Sequence, residues 1–102
     1  MSGAESSVQA ADRDSGAPVV RLAGEIDIST ADGIADTLCA VPGSTVVVDL
    51  SDVTFMDSSG IAELMRARQA RAASGHDLII RGASKIVRKT FLVLGLEEML
   101  AE

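Results

Sequence analysis

Asp57-Ser58-Ser59-Gly60 carries the densest chemistry in the chain, two hydroxyls beside a carboxylate, directly ahead of a stretch with helical spacing. A serine there could attack as a nucleophile, help cradle a phosphate, accept a phosphoryl group from another protein, or simply cap the helix. For a nucleophile, a hydrolase elbow requires Gly-x-Ser-x-Gly and a base. Met56-Asp57-Ser58-Ser59-Gly60 lacks the first glycine, and the single histidine, His76, falls before a later strand, at the edge of a parallel sheet opposite to Ser58. For a phosphate cradle, neither Gly-x-x-x-x-Gly-Lys-[Ser/Thr] nor Gly-x-Gly-x-x-Gly occurs, and Asp27, Asp57 and Glu25 would repel the anion. These acids also lack the ligand spacing of a calcium loop, so no metal and no cofactor is expected. A phosphoserine near a helix N-terminus is favoured by the helix dipole and the free N–H groups, so its charge of about −1.5 to −2 would act on a partner and not on the fold.

The elements that must position these residues follow from periodicity. Val8–Ala11 is expected as an edge strand, turned through Asp12–Gly16 as a hairpin onto Pro18–Gly24, with Val20 and Leu22 on one face. Residues 1–7 are expected to be a flexible N-terminus and 8–102 one domain. A loop over Glu25–Ser29 leads to a helix beginning near Ser29 or Thr30, with Ser29 and Asp32 as a capping pair. That helix buries Ile34, Leu38 and Val41 and ends at Pro42-Gly43. Thr45 to about Leu50 is a strand, Ser51-Asp52 a polar turn, and Val53 and Phe55 are core anchors. From Ser59 a helix carries Ile61, Leu64 and Met65 inward and Arg66, Arg68 and Arg71 outward. Leu78–Arg81 is a short strand, and Ser84 caps a helix that buries Val87, Phe91 and Leu94.

Alternating strands and helices predict βαβ units, and the runs Val46–Val48 and Leu78–Ile80 suit strands buried in a parallel sheet. Strand-to-helix loops in such a sheet emerge at its carboxyl edge, so Glu25–Thr30, Ser51–Gly60 and Gly82–Ser84 are expected on one rim, with Asp27 near Ser58.

Composition narrows the partners. A net charge of −6 over 102 residues and the absence of Trp and Tyr argue against nucleic acid as a direct partner. Seven of the nine basic residues fall between Arg66 and Lys89, which reads as a solvated basic helix face. Cys39 is the only cysteine, which leaves no disulfide within the chain. MSGAESSVQ has neither the basic segment nor the apolar core of a signal peptide, and no apolar run is long enough to span a membrane, so a cytoplasmic location is expected.

The segment VVDLSDVTFMDSSGI, Val47–Ile61, with Gly24-Glu25-Ile26-Asp27 upstream, resembles the STAS-domain anti-sigma factor antagonists, and the similarity runs from about Val19 to Leu96. The resemblance implies an α/β fold, a single STAS domain built as a β-α superhelix with a mostly parallel four-stranded sheet and an N-terminal edge strand in a hairpin. It also implies a non-enzymatic switch. The unmodified protein would bind an anti-sigma factor serine kinase and release a sigma factor, phosphorylation by that kinase would break the complex, and a metal-dependent serine phosphatase would restore it. The acceptor would be Ser58, with Ser59 its neighbour, and partner contacts would come from Asp27, Ile28, Ser29, Thr30, Asp57, Ser59, Gly60 and Ile61. A monomer is expected. The family's other roles, a stressosome-like scaffold or a lipid-transport complex subunit with nucleotide binding, form the alternative. The chain stops at Glu102, short of a C-terminal segment many relatives carry, and its first strand is weakly patterned; both departures touch the outer edges of the fold.

Overall fold

The computed structural model describes residues 5–9, as backbone, and residues 16–101. In chain order the elements are β1 (Glu5–Gln9), β2 (Val19–Ile26), α1 (Ile34–Cys39), β3 (Thr45–Met56), α2 (Ser58–Ala73), β4 (Asp77–Arg81), α3 (Lys85–Val93) and a 3₁₀ turn (Glu97–Met99). The strands form one sheet in the order β1-β2-β3-β4, with β1 antiparallel to β2 and the other pairs parallel. This is the expected α/β architecture with an antiparallel edge strand. The edge strand starts at Glu5, earlier than the Val8 expected, and the turn over residues 12–15 lies outside the described residues.

The longest departure from expectation is β3, which continues through Ser51-Asp52 to Met56. Its pairing with β2 explains why. Between Arg21 and Ala23 the partner advances from Asp49 to Asp52, and between Gly24 and Glu25 it advances from Val53 to Phe55, so each shift inserts one extra residue on β3. The inward positions therefore run Val46, Val48, Leu50, Val53, Met56, all buried, and strict alternation breaks where the chain still pairs. Phe55, expected as an anchor, is carried outward and is 44% exposed. At the first shift the Asp49 carboxylate accepts hydrogen bonds from the Ser51 N–H and hydroxyl. Gly82, with φ near +79°, lies so close that a Cβ would stand 2.8 Å from that carboxylate, so only glycine lets β4 turn away here.

The crossover helices α1 and α2 pack against each other and α2 packs on β3 and β4, and buried residues of both helices join the inward side chains of the sheet in one core. Arg71, expected outward, is buried at 3% exposure. The positions Ile61, Leu64, Ala67 and Arg71 form one inner stripe of α2. Its guanidinium donates to Leu38 O, Val41 O, Gly43 O and Asp77 O at 3.0–3.3 Å, tying the end of α1 and the loop after it to the start of β4. α3 is held by Val87 and Phe91, whose burial stabilises its docking by roughly 3–6 kcal/mol. Leu94, expected beside them, is 45% exposed at the helix end.

Candidate functional site

β3 outruns β4. Pairing with β4 stops at Asp49–Arg81, whereas pairing with β2 continues to Met56–Ile26. The carboxyl edge of the sheet is therefore stepped. Gly82–Ser84 leaves from beside Asp49 and Ser51, not from beside Ser58, which corrects the single rim of three loops expected from topology. The loops after β2 and β3 do share an edge, because the Asp57 N–H donates to Ile26 O at 3.1 Å. Asp27 and Ser58 thus follow directly from paired strand ends.

Asp57 is the N-cap of α2. Its backbone is extended and its Oδ1 accepts the Ser59 N–H at 2.8 Å, while its carbonyl accepts from the Gly60 and Ile61 N–H groups. The carboxylate does the capping, and the helix begins at Ser58, one residue earlier than expected. The consequence concerns Ser58. Its side chain is exposed and its hydroxyl has no hydrogen-bond partner among the described residues, so it is spare for chemistry with another molecule. Ser59, half-buried, has its N–H committed to the cap.

The loop after β2 is ordered by Asp27. Its Oδ1 accepts the Ser29 N–H at 3.0 Å and the Ser29 hydroxyl at 2.7 Å, and its carbonyl accepts from the Thr30 and Ala31 N–H groups. The Thr30 hydroxyl donates to Glu25 O and accepts the Asp27 N–H. Hydrogen bonds from Ser29 first, and from Thr30, hold the Asp27 carboxyl below its ordinary value despite some desolvation, so it stays ionised. Ser29 is therefore a donor inside this turn and not a helix cap. α1 starts only at Ile34, after Gly33 with φ near +90°, and its first turn is served from another helix by Glu63, whose Oε1 accepts the Ala35 N–H. Ile28 projects from the loop at 83% exposure.

Gly60 and Ile61, expected as contacts, are buried. A Cβ on Gly60 would stand 2.7 Å from both Ile26 Cγ2 and Met56 Cγ, so this glycine lets α2 close on the ends of β2 and β3 and sets the height of Ser58 above them.

Because β4 stops early, α3 flanks the exposed side of β3, and between them lies a groove of about 560 Å³ lined by Phe55, Met56, Asp57, Ser58, Ile86, Lys89, Thr90, Val93 and Leu94. The α3 residues of this groove were missed from sequence. The signal was a second apolar set, Ile86 and Val93 seven residues apart, displaced around the helix from Val87 and Phe91.

The family described as "Mlab, STAS domain" matches residues 9–101 of the sequence. The chain belongs to the STAS-domain family. Among STAS proteins, it is 27% identical to an anti-sigma-B factor antagonist of Listeria monocytogenes over 97 residues, covering 92% of this chain and 85% of that protein. A solved anti-sigma factor antagonist from Mycobacterium paratuberculosis superimposes with a TM-score of 0.74 at 26% identity, covering 97% of this chain and 84% of that one. The anti-sigma factor antagonist SpoIIAA in its unphosphorylated form shares the fold, with a TM-score of 0.76 at 24% identity over 94% of this chain and 85% of that one. The STAS architecture inferred from VVDLSDVTFMDSSGI is thus the architecture present, and the similarity within the family is to anti-sigma factor antagonists. Among the described residues no helix is long and apolar enough to cross a membrane.

Proposed function

We propose that this STAS domain is a phosphorylation-switched anti-sigma factor antagonist. Unmodified, it binds an anti-sigma factor that is also a serine kinase, and a sigma factor is released. Phosphorylation of Ser58 by that kinase ends the complex, and a serine phosphatase resets it. One observation carries the reading: the exposed Ser58 hydroxyl has no partner among the described residues, and Asp57 has taken the capping role at the start of a 16-residue helix.

Physical chemistry supports each half of the switch. A phosphate at the first residue of α2 is stabilised by the partial positive charge of the helix end, so the fold tolerates it. It adds a charge of about −1.5 to −2 to a face that already presents Asp27 and Asp57, and it adds bulk where a partner must approach. Asp27, Ile28, Ser29 and Thr30 supply a second contact on the same edge, while Gly60 and Ile61 hold Ser58 in place. The protein acts as acceptor and not as catalyst. Asp57, the carboxylate in the groove, is engaged by the Ser59 N–H, and His76 precedes β4 at the opposite edge of the sheet.

Binding to the cognate anti-sigma factor, measured by calorimetry, tests the switch. Ser58→Ala should keep the affinity and Ser58→Asp should lose it. Equal affinities for the two variants would refute the mechanism, and capture of transport or scaffold subunits in place of a kinase would favour the family's other roles.

A further inference from the structure

Lys89 lines the same groove as Ser58, from the opposite wall. It is exposed, and among the described residues it has no ion pair or hydrogen bond, whereas Arg21 and Arg66 pair with Asp52 and Glu63. Lys89 and Ser58 both line this one groove, and a flexible four-carbon lysine stem can swing its ammonium along the groove toward a phosphoserine on the other wall. The remaining walls are mostly apolar, with Phe55, Ile86, Val93 and Leu94 presenting hydrocarbon to the opening. The charged groups around the Ser58 hydroxyl are few: Asp57 from the α2 cap and Lys89 from α3 line the groove, and Asp27 stands at the end of the neighbouring strand.

We propose that Lys89 is the intramolecular counter-ion of phosphorylated Ser58, so that modification draws the α3 wall and the α2 N-terminus together across the mouth of the apolar groove. This rests on the reading of Ser58 as the phosphate acceptor and extends it. The switch then has two parts. The phosphate repels an approaching acidic surface, and its pairing with Lys89 places an ion pair over hydrocarbon that the unmodified protein leaves open. Lys89 touches the phosphoryl group after transfer and takes no part in transferring it.

The test separates this inference from the proposed function by installing phosphoserine at position 58 during translation, which needs no kinase. The second ionisation of the phosphate is followed by phosphorus NMR at low salt in the otherwise unchanged chain and in Lys89→Gln. Asp27 and Asp57 raise that ionisation in both proteins alike, so the difference isolates Lys89. Removing Lys89 should raise the midpoint by roughly half a unit, the scale of an exposed ion pair. Lys89→Arg should retain the lower midpoint, and 1 M salt should erase the difference. Identical midpoints for Lys and Gln at low salt would overturn the pairing even if a kinase is separately shown to phosphorylate Ser58. A retained difference in a protein that no kinase modifies would leave the pairing standing and count against the proposed function.

Discussion

Arg71→Met is the most demanding perturbation of the scaffold that carries Ser58. The guanidinium satisfies four carbonyl oxygens from three separate segments, Leu38 in the last turn of α1, Val41 and Gly43 in the turn that follows it, and Asp77 at the start of β4. Their losses are unequal. Leu38 O also accepts N–H groups at the helix end, and the bonds to Gly43 O and Asp77 O are only partly buried. Val41 O has no second donor among the described residues, so leaving it buried and unpaired costs about 1–3 kcal/mol, and the other three bonds cost about 0.5–1.5 kcal/mol each. Those figures total roughly 2.5–7.5 kcal/mol. Relief from burying a charge offsets part of them, which leaves an expected loss near 3 kcal/mol. For a domain of this size that corresponds to a fall in Tm of at least about 12 °C. Urea titration followed by circular dichroism should show a lower midpoint with an unchanged slope. Arg71→Lys should fall between, since an ammonium keeps the charge but not the planar fork. A stability within about 1 kcal/mol of the parent for Arg71→Met would refute the account of this clamp.

Three further outcomes follow from the site itself. Gly60→Ala gains up to about 1 kcal/mol of helix propensity but forces a Cβ against Ile26 and Met56, so thermal unfolding should show a net loss of roughly 1–2 kcal/mol. An unchanged Tm would mean that α2 can lift without penalty. Glu63→Ala removes the acceptor for the Ala35 N–H and should destabilise by about 1 kcal/mol, with hydrogen exchange at Ala35 and its neighbours accelerating more than elsewhere. Uniform acceleration across the sheet would contradict a local cap. Asp27, whose folded ionisation lies below its ordinary value of 3.8, contributes stability that is present above about pH 4 and lost as the pH falls through the folded value. An NMR titration should find its midpoint below 3.8, and Ser29→Ala should move it upward; no movement would remove Ser29 as the cause.

Much of this fold was legible because its signals are local. Val46–Val48 and Leu78–Ile80 are apolar runs with the length of buried strands, and Ser84 does cap α3 by accepting the Val87 N–H. The continuation of β3 was hidden because two inserted residues change the inward spacing from two to three at the Ser51-Asp52 signal, which in an unbroken strand would mark a turn. Arg71 was misplaced by residue type. Its position, four after Ala67 and seven after Leu64, put it on the inner stripe, but nothing local announces that carbonyls from α1 and β4 will converge there. Asp57-Ser58-Ser59 was read correctly as a helix start, yet which of the three groups caps depends on extended backbone at Asp57 and the bond to Ile26 O, both tertiary facts. The groove was hard to see for a related reason, since it exists only because β4 ends seven residues before β3 does, from Asp49 to Met56.

The central claim is that Ser58 is the residue modified. Incubation of the full chain with its cognate anti-sigma kinase and ATP, followed by peptide mass spectrometry, tests it most directly. One phosphate is expected, on Ser58, and none in Ser58→Ala. A phosphate on Ser59 or any other residue, or undiminished incorporation into Ser58→Ala, would contradict it.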